Sequence, residues 1–222
     1  MEQVKRKVNL SFYILAVVIT LFIFISGFII GDYVAYKKAA TLDGSQKAIS
    51  SLLKLSEIKG ETLINETGGY CNLSWEDIWS EKVEIGEILF ALERKLGKTN
   101  PEILEQKKIY NEVQYYTLKL VNSINERCGY NWTIIVFFYT NEKEARPEEF
   151  ERGELQGYVL DTLYERNPEK IKIFSFDIAA GDNFTAVLME RDNIKTIPSI
   201  IINGKAYSGL RGRNEIETIL KE

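Results

Sequence analysis

The chain has 222 residues, of which 45% are hydrophobic, and a net charge of -4. That is long enough for one or two domains with a real core, and the lack of a basic stripe gives no reason to expect nucleic acid as a partner. There is no histidine and there are only two cysteines, which excludes Ser-His-Asp and Cys-His catalysis, HExxH metalloprotease sites and Cys/His zinc sites. Nothing in the sequence calls for a cofactor.

Residues 8–30 are almost wholly apolar and carry no charge. A helix of roughly 20 apolar residues crosses the hydrocarbon core of a bilayer, so this run is expected to span with some tilt and to contact lipid directly. A cleaved signal peptide is the competing reading. Its apolar region would be about 7–15 residues long and would end in a small-residue cleavage site, which Gly31-Asp32-Tyr33 matches poorly. Lys5, Arg6 and Lys7 precede the span, while Lys37 and Lys38 follow it several residues on. This small bias favours residues 1–7 in the cytoplasm and the C-terminal portion outside, at a cell membrane. Within the span, Gly27 and Gly31 form a GxxxG that permits close helix pairing and hence a homodimer.

Residues 31–130 read as a helical stalk. A first segment, Asp32 to Asn65, carries Ile49, Leu52, Leu53 and Leu55, with Gly44 and Gly60 as weak points. A second opens at Ser74, a good N-cap with Asp77 three residues on, and repeats Ile78, Ile85, Leu89, Leu92 and Leu96. Gly97 and Asn100-Pro101 stop it and start a third, with Ile109, Val113, Tyr116, Leu120 and Ile124 at helical spacing up to Gly129. Two such helices joined by a short turn make an antiparallel hairpin. The apolar steps persist for only about three heptads and Trp75, Trp79, Tyr110 and Tyr115 widen the stripe, so an intramolecular unit fits better than a coiled coil.

That hairpin brings Cys71, just before the second helix, near Cys128, at the end of the third. A disulfide is sterically reasonable there and would require an oxidising compartment; two reduced, buried cysteines are the alternative. Four N-x-[ST] sequons follow the span, at Asn65, Asn72, Asn131 and Asn183, and mark candidate glycosylation sites.

From residue 131 to 222 strands and helices alternate. Ile134–Tyr139 is a continuous apolar run, expected as a strand buried on both faces. A helix follows Pro147 and stops at Asn167-Pro168, and Ile171–Phe176 is a second, parallel strand. A short helix, Phe184–Arg191, leads into Thr196-Ile197-Pro198. Strands Ser199–Ile202 and Lys205–Tyr207 are then expected to turn at Asn203-Gly204, and a last helix is expected to be capped by Asn214 and Glu217.

This order, together with Ile194-Lys195-Thr196-Ile197-Pro198-Ser199-Ile200-Ile201-Ile202-Asn203-Gly204-Lys205 and Gly209, resembles the thioredoxin-like fold over roughly the last ninety residues. The resemblance implies an α/β domain with a central mixed sheet and a cis-proline turn at Pro198. It also implies backbone groups at Ile197 and Pro198 that pair with an extended peptide. The family's CxxC pair would fall within Tyr139–Arg146, and no cysteine stands there. A thiolate nucleophile at that helix N-terminus is therefore missing, as in family members that persist as binding or structural modules. The expected function is a non-catalytic thioredoxin-like domain on a membrane anchor, binding a protein or peptide. The enzyme alternative is a thiol-disulfide oxidoreductase using Cys71 and Cys128.

Overall fold

The computed structural model describes residues 10–65, 71 and 75–221. The chain divides into two compact units, residues 1–45 and 46–222, so no division falls between the helical hairpin and the sheet that follows it.

In the first unit lies most of helix α1 (Leu10–Asn65). The N-terminal helix is long and apolar enough to cross a membrane. Phe12, Phe22, Phe24 and Phe28 are exposed along it, as side chains meant for lipid would be. Gly27 and Gly31 are exposed too, and a Cβ added at either would meet nothing within 4 Å. Lys5, Arg6, Lys7 and Val8 lie outside the described residues.

The second unit is mixed α/β. After α1 come α2 (Trp75–Leu96), α3 (Pro101–Cys128), β1 (Thr133–Tyr139), α4 (Pro147–Arg166), β2 (Ile171–Asp177), a short 3-10 turn, α5 (Asn183–Arg191), β3 (Ser199–Ile202), β4 (Lys205–Ser208) and α6 (Arg213–Ile219). The sheet order is β2-β1-β3-β4. β1 and β2 are parallel, and β3 runs antiparallel to both β1 and β4. Five consecutive buried residues in β1 reflect apolar cover on both faces. One face meets α4 and α6 through Leu160, Leu163 and Ile216. The other meets α2, α3 and α5 through Ile78, Leu118, Val121, Ile124 and Leu188.

Local chemistry sets the boundaries. Asn100 caps α3 by accepting from the Glu102 amide, Pro101 occupies its first turn, and Gly129 ends it in the left-handed region at φ 70°. Asn203 and Gly204, at φ 48° and 83°, make the tight hairpin turn. Asp182 caps α5 through the Thr185 amide, so that helix starts at Asn183. The expectation that Asn214 caps the last helix is corrected. α6 begins at Arg213 with Gly212 in the cap position and no side-chain cap, and Arg211 pairs with Glu215 alongside it. The Ser74 cap lies outside the described residues.

β2 is an edge strand, and its outward backbone groups are met by side chains rather than by another strand. Gln114 of α3 donates to the Ser175 carbonyl at 2.6 Å and accepts from the Ser175 amide at 3.0 Å. Lys82 of α2 donates to the Ile173 carbonyl at 3.3 Å, its Nζ 3.9 Å from the Trp79 ring centroid. Burial pulls the Lys82 ammonium down to about 7. Asn111 of α3 reaches the Asp177 carbonyl at 3.4 Å. The hairpin thus does for this edge what a fifth strand would do.

Cys71 and Cys128 form the disulfide, with their Cα atoms 5.5 Å apart and 57 residues of sequence separation. Closing a loop of that length stabilises by roughly 4 kcal/mol in the chain-entropy model. α1 joins the same unit from Gln46 onward, where Ile49 packs with Ile85 and Val113 and Lys59 pairs with Glu81 at 2.8 Å.

Replacing Gln114 by Ala leaves both Ser175 groups unpaired against protein, while alanine itself favours the helix. A loss of about 2 kcal/mol is expected in urea unfolding of the detergent-solubilised chain, against less than about 0.5 kcal/mol for the exposed Glu126→Ala.

Candidate functional site

The C-terminal end of the parallel pair gathers the chemistry that this fold positions. Ligands of α/β sheets characteristically bind outside the carboxyl ends of the strands. Here β1 delivers Tyr139, Thr140 and Asn141 to that end and β2 delivers Asp177. α3 stands beside them and contributes Lys107 and Asn111.

Lys107 is almost completely buried. Its three protons have three acceptors: Asp177 Oδ2 at 2.7 Å, Glu93 Oε1 at 2.8 Å and the Lys98 carbonyl at 3.3 Å. Asp177 is equally well satisfied. Its Oδ1 accepts from the Ala179 amide at 3.0 Å and the Asn141 amide at 3.3 Å. Its Oδ2 accepts from Asn141 Nδ2 at 2.8 Å as well as from Lys107. A desolvated ion pair is stable only with such full complements, because the cost of removing each charge from water is several kcal/mol. Asn111 extends the network to Asp182 Oδ2 at 2.7 Å and Thr185 Oγ1 at 3.1 Å. Around it, burial and the Asp177 charge push the Tyr139 hydroxyl well above its ordinary value, and burial and Glu93 do the same to Tyr110. Both phenols therefore stay protonated.

The network fixes Asn141 at the mouth of a cleft of about 400 Å3 lined by Lys98, Thr99, residues 141–145 and Phe150. Asn141 Oδ1 is buried and has no hydrogen-bond partner. Just beyond it α4 starts without a side-chain cap, so the amides of its first turn face the same end of the molecule. This is the segment in which the resemblance drawn from the sequence would put a CxxC pair, and it contains no cysteine. What lines it is amide, carboxylate, ammonium and an aromatic ring, a set suited to hydrogen bonding and charge pairing.

The turn before β3 lies at the same end of the sheet, since Ser199 pairs with Phe138 near the end of β1. The Ile197-Pro198 peptide is cis. Both side chains are buried, Ile197 in the core shared with α3 and α5. Lys195 and Thr196 are exposed. The Ser199 hydroxyl donates to the Thr196 carbonyl at 2.6 Å, and the Gly209 amide to the Pro198 carbonyl at 2.8 Å. Among the described residues, the backbone N–H and C=O of Ile197 have no hydrogen-bond partner.

Cys71 and Cys128 are at the other end. Cys128 precedes β1 by five residues, and the Tyr130 hydroxyl donates to the Cys71 carbonyl at 3.0 Å. The seven-residue β1, about 20 Å long at strand rise, separates the disulfide from the Pro198 turn. Of the sequon residues, Asn131 and Asn183 are exposed, Asn65 ends α1, and Asn72 lies outside the described residues. Thr185, which completes the Asn183 sequon, is buried and bonded to Asp182 at 2.7 Å.

Lys107, Asp177, Asn111 and Gln114 were not singled out by sequence reasoning. Their signal is a polar stripe on α3 at steps of four and three, Lys107, Asn111 and Gln114, in phase with Leu118 and Val121. A polar stripe continuing an apolar one along one helix face points to buried polar contacts.

No protein-family model and no curated protein matches the chain.

Removing one partner from the buried pair leaves an uncompensated charge. Lys107→Met is expected to cost about 3–5 kcal/mol in equilibrium unfolding, and Asp177→Asn added to it is expected to recover part of that loss, which a double-mutant cycle in urea measures.

Proposed function

We propose that the chain is a single-pass membrane protein that displays a non-catalytic, thioredoxin-like domain outside the membrane, where it binds an extended segment of a protein partner. The observation that carries this reading is the unpaired backbone of Ile197. Its side chain is anchored in the core, so its free N–H and C=O are held on a rigid support. A backbone donor and acceptor held in that way form the elementary unit of strand addition, in which main-chain bonds supply affinity and neighbouring clefts supply specificity. Asn141 and the cleft beside it lie at the same end of the sheet and suit the second role.

The thioredoxin-like character rests on the strand order β2-β1-β3-β4, on the helix between the two parallel strands, and on the turn before β3. The absence of catalysis rests on residues 139–146, which contain no thiol. The oxidoreductase alternative would need Cys71 and Cys128 near that surface, and a separation by the length of β1 speaks against it. Joining the two ends of a helical hairpin is the geometry of a staple. That staple supports an oxidising compartment for the domain, and the small Lys5–Lys7 bias supports its placement outside.

A photo-crosslinking residue at exposed Thr196 tests the surface, with the same residue at exposed Thr218 on α6 as control. In native membranes Thr196 is expected to capture one discrete partner that Thr218 does not, and a short extended peptide from that partner is expected to compete. Equal labelling from both positions, or none from Thr196, rules out the assigned surface.

A further inference from the structure

A second cleft, of about 470 Å3, opens at the N-terminal end of β1. That volume falls in the ~300–1,000 Å3 range of small-ligand sites. Its floor is apolar: Leu118, Val136 and Ile201, all buried in the main core. Its rim is made largely of amides. Asn125 is locked in place, accepting from the Trp132 amide at 3.0 Å and donating to the Trp132 carbonyl at 3.2 Å. Asn203 accepts from the Ile134 amide at 3.3 Å through Oδ1. Asn122 and Asn131 also line the cleft, and among the described residues neither side chain has a hydrogen bond. Tyr130 and Trp132 form one wall, their rings stacked 4.4 Å apart at 3°. Among the described residues no carboxylate side chain lines the cleft, and the one cation among them, Arg191, is held by Asp192 at 2.6 Å.

We propose that this cleft binds a pyranose ring. A sugar hydroxyl is donor and acceptor at once, and an amide offers both in one side chain, whereas a carboxylate only accepts and an ammonium only donates. The C–H face of the ring is apolar and needs an apolar or aromatic surface, which the floor and the Tyr130–Trp132 wall supply. The near-neutral lining selects against charged ligands. Rigid aromatic and apolar walls with a few fixed polar groups are the usual composition of a small-molecule site.

Two sources could supply the ring. Asn131 at the rim is exposed and begins the sequon Asn131-Trp132-Thr133, so the first sugar of a glycan on Asn131 could fold back into the cleft. The same chemistry would also hold a sugar of another molecule. Only the first source depends on the domain lying outside the membrane.

The test has two arms and one readout. Full-length protein from native membranes is analysed by peptide mass spectrometry for a glycan on Asn131. Unglycosylated full-length protein in detergent is titrated with glucose, mannose and N-acetylglucosamine at millimolar concentration. In both arms saturation transfer from the methyl groups of Leu118 and Val136 to sugar ring protons reports whether a ring sits in the cleft. The expected result is transfer in at least one arm, weakened tenfold or more by Asn122→Ala without a change in the unfolding midpoint. Transfer in neither arm, whether or not Asn131 carries a glycan, overturns the proposal.

Discussion

The outward edge of β2 is the constraint on which the rest of this molecule depends. An edge strand presents a row of unpaired N–H and C=O groups, and leaving them buried without partners costs about 1–3 kcal/mol each. This protein closes that edge with side chains from a helical hairpin: Lys82 on Ile173, Gln114 on Ser175, Asn111 on Asp177. The hairpin is therefore part of the sheet domain, and the compact unit starts at Gln46. The Cys71–Cys128 bond makes the same point covalently, since it joins the two ends of the hairpin close to where the chain enters β1.

The two ends of the sheet are built differently as a result. At the C-terminal end, the backbone carbonyl of Asp177 terminates the closed edge, while its carboxylate organises Lys107 and Asn141. A residue whose ordinary task is to end a strand is thereby tied to a cleft, and the backbone of Ile197, with no hydrogen-bond partner among the described residues, lies at the same end. At the N-terminal end the chain is pinned by the disulfide, by the Tyr130–Cys71 bond and by the Asn125–Trp132 pair. Such pinning at one end would lower the ordering cost of the proposed binding of an extended partner at the other.

Much of the architecture was legible in the sequence. Apolar runs, proline and glycine stops and the Asn203-Gly204 turn located the helices and strands, and the spacing of Cys71 and Cys128 around an antiparallel hairpin anticipated their bond. The polar contacts were harder to read. Lys107, Asn111 and Gln114 have the composition of a solvated helix face, and hydropathy cannot distinguish water from a strand edge as their partner. That is why the hairpin read as a stalk set apart from the sheet. Asn214 fitted a capping pattern, but the Arg211–Glu215 pair and the turn at Gly212 start the helix one residue earlier. The backbone at Ile197 and Pro198 was marked as a peptide contact on the resemblance alone, and the side chains of both residues are buried. The free backbone of Ile197 depends on how the turn lies against the core, which no residue type encodes.

Residue-resolved amide hydrogen exchange on the full-length protein in detergent tests the closed edge and the open turn together. The account predicts that the Ser175 amide exchanges as slowly as the Val136 amide in β1, because Gln114 holds it, while the Ile197 amide exchanges quickly. Fast exchange at Ser175 would contradict the role given to the hairpin. Slow exchange at Ile197 in the absence of any partner would contradict the role given to the turn.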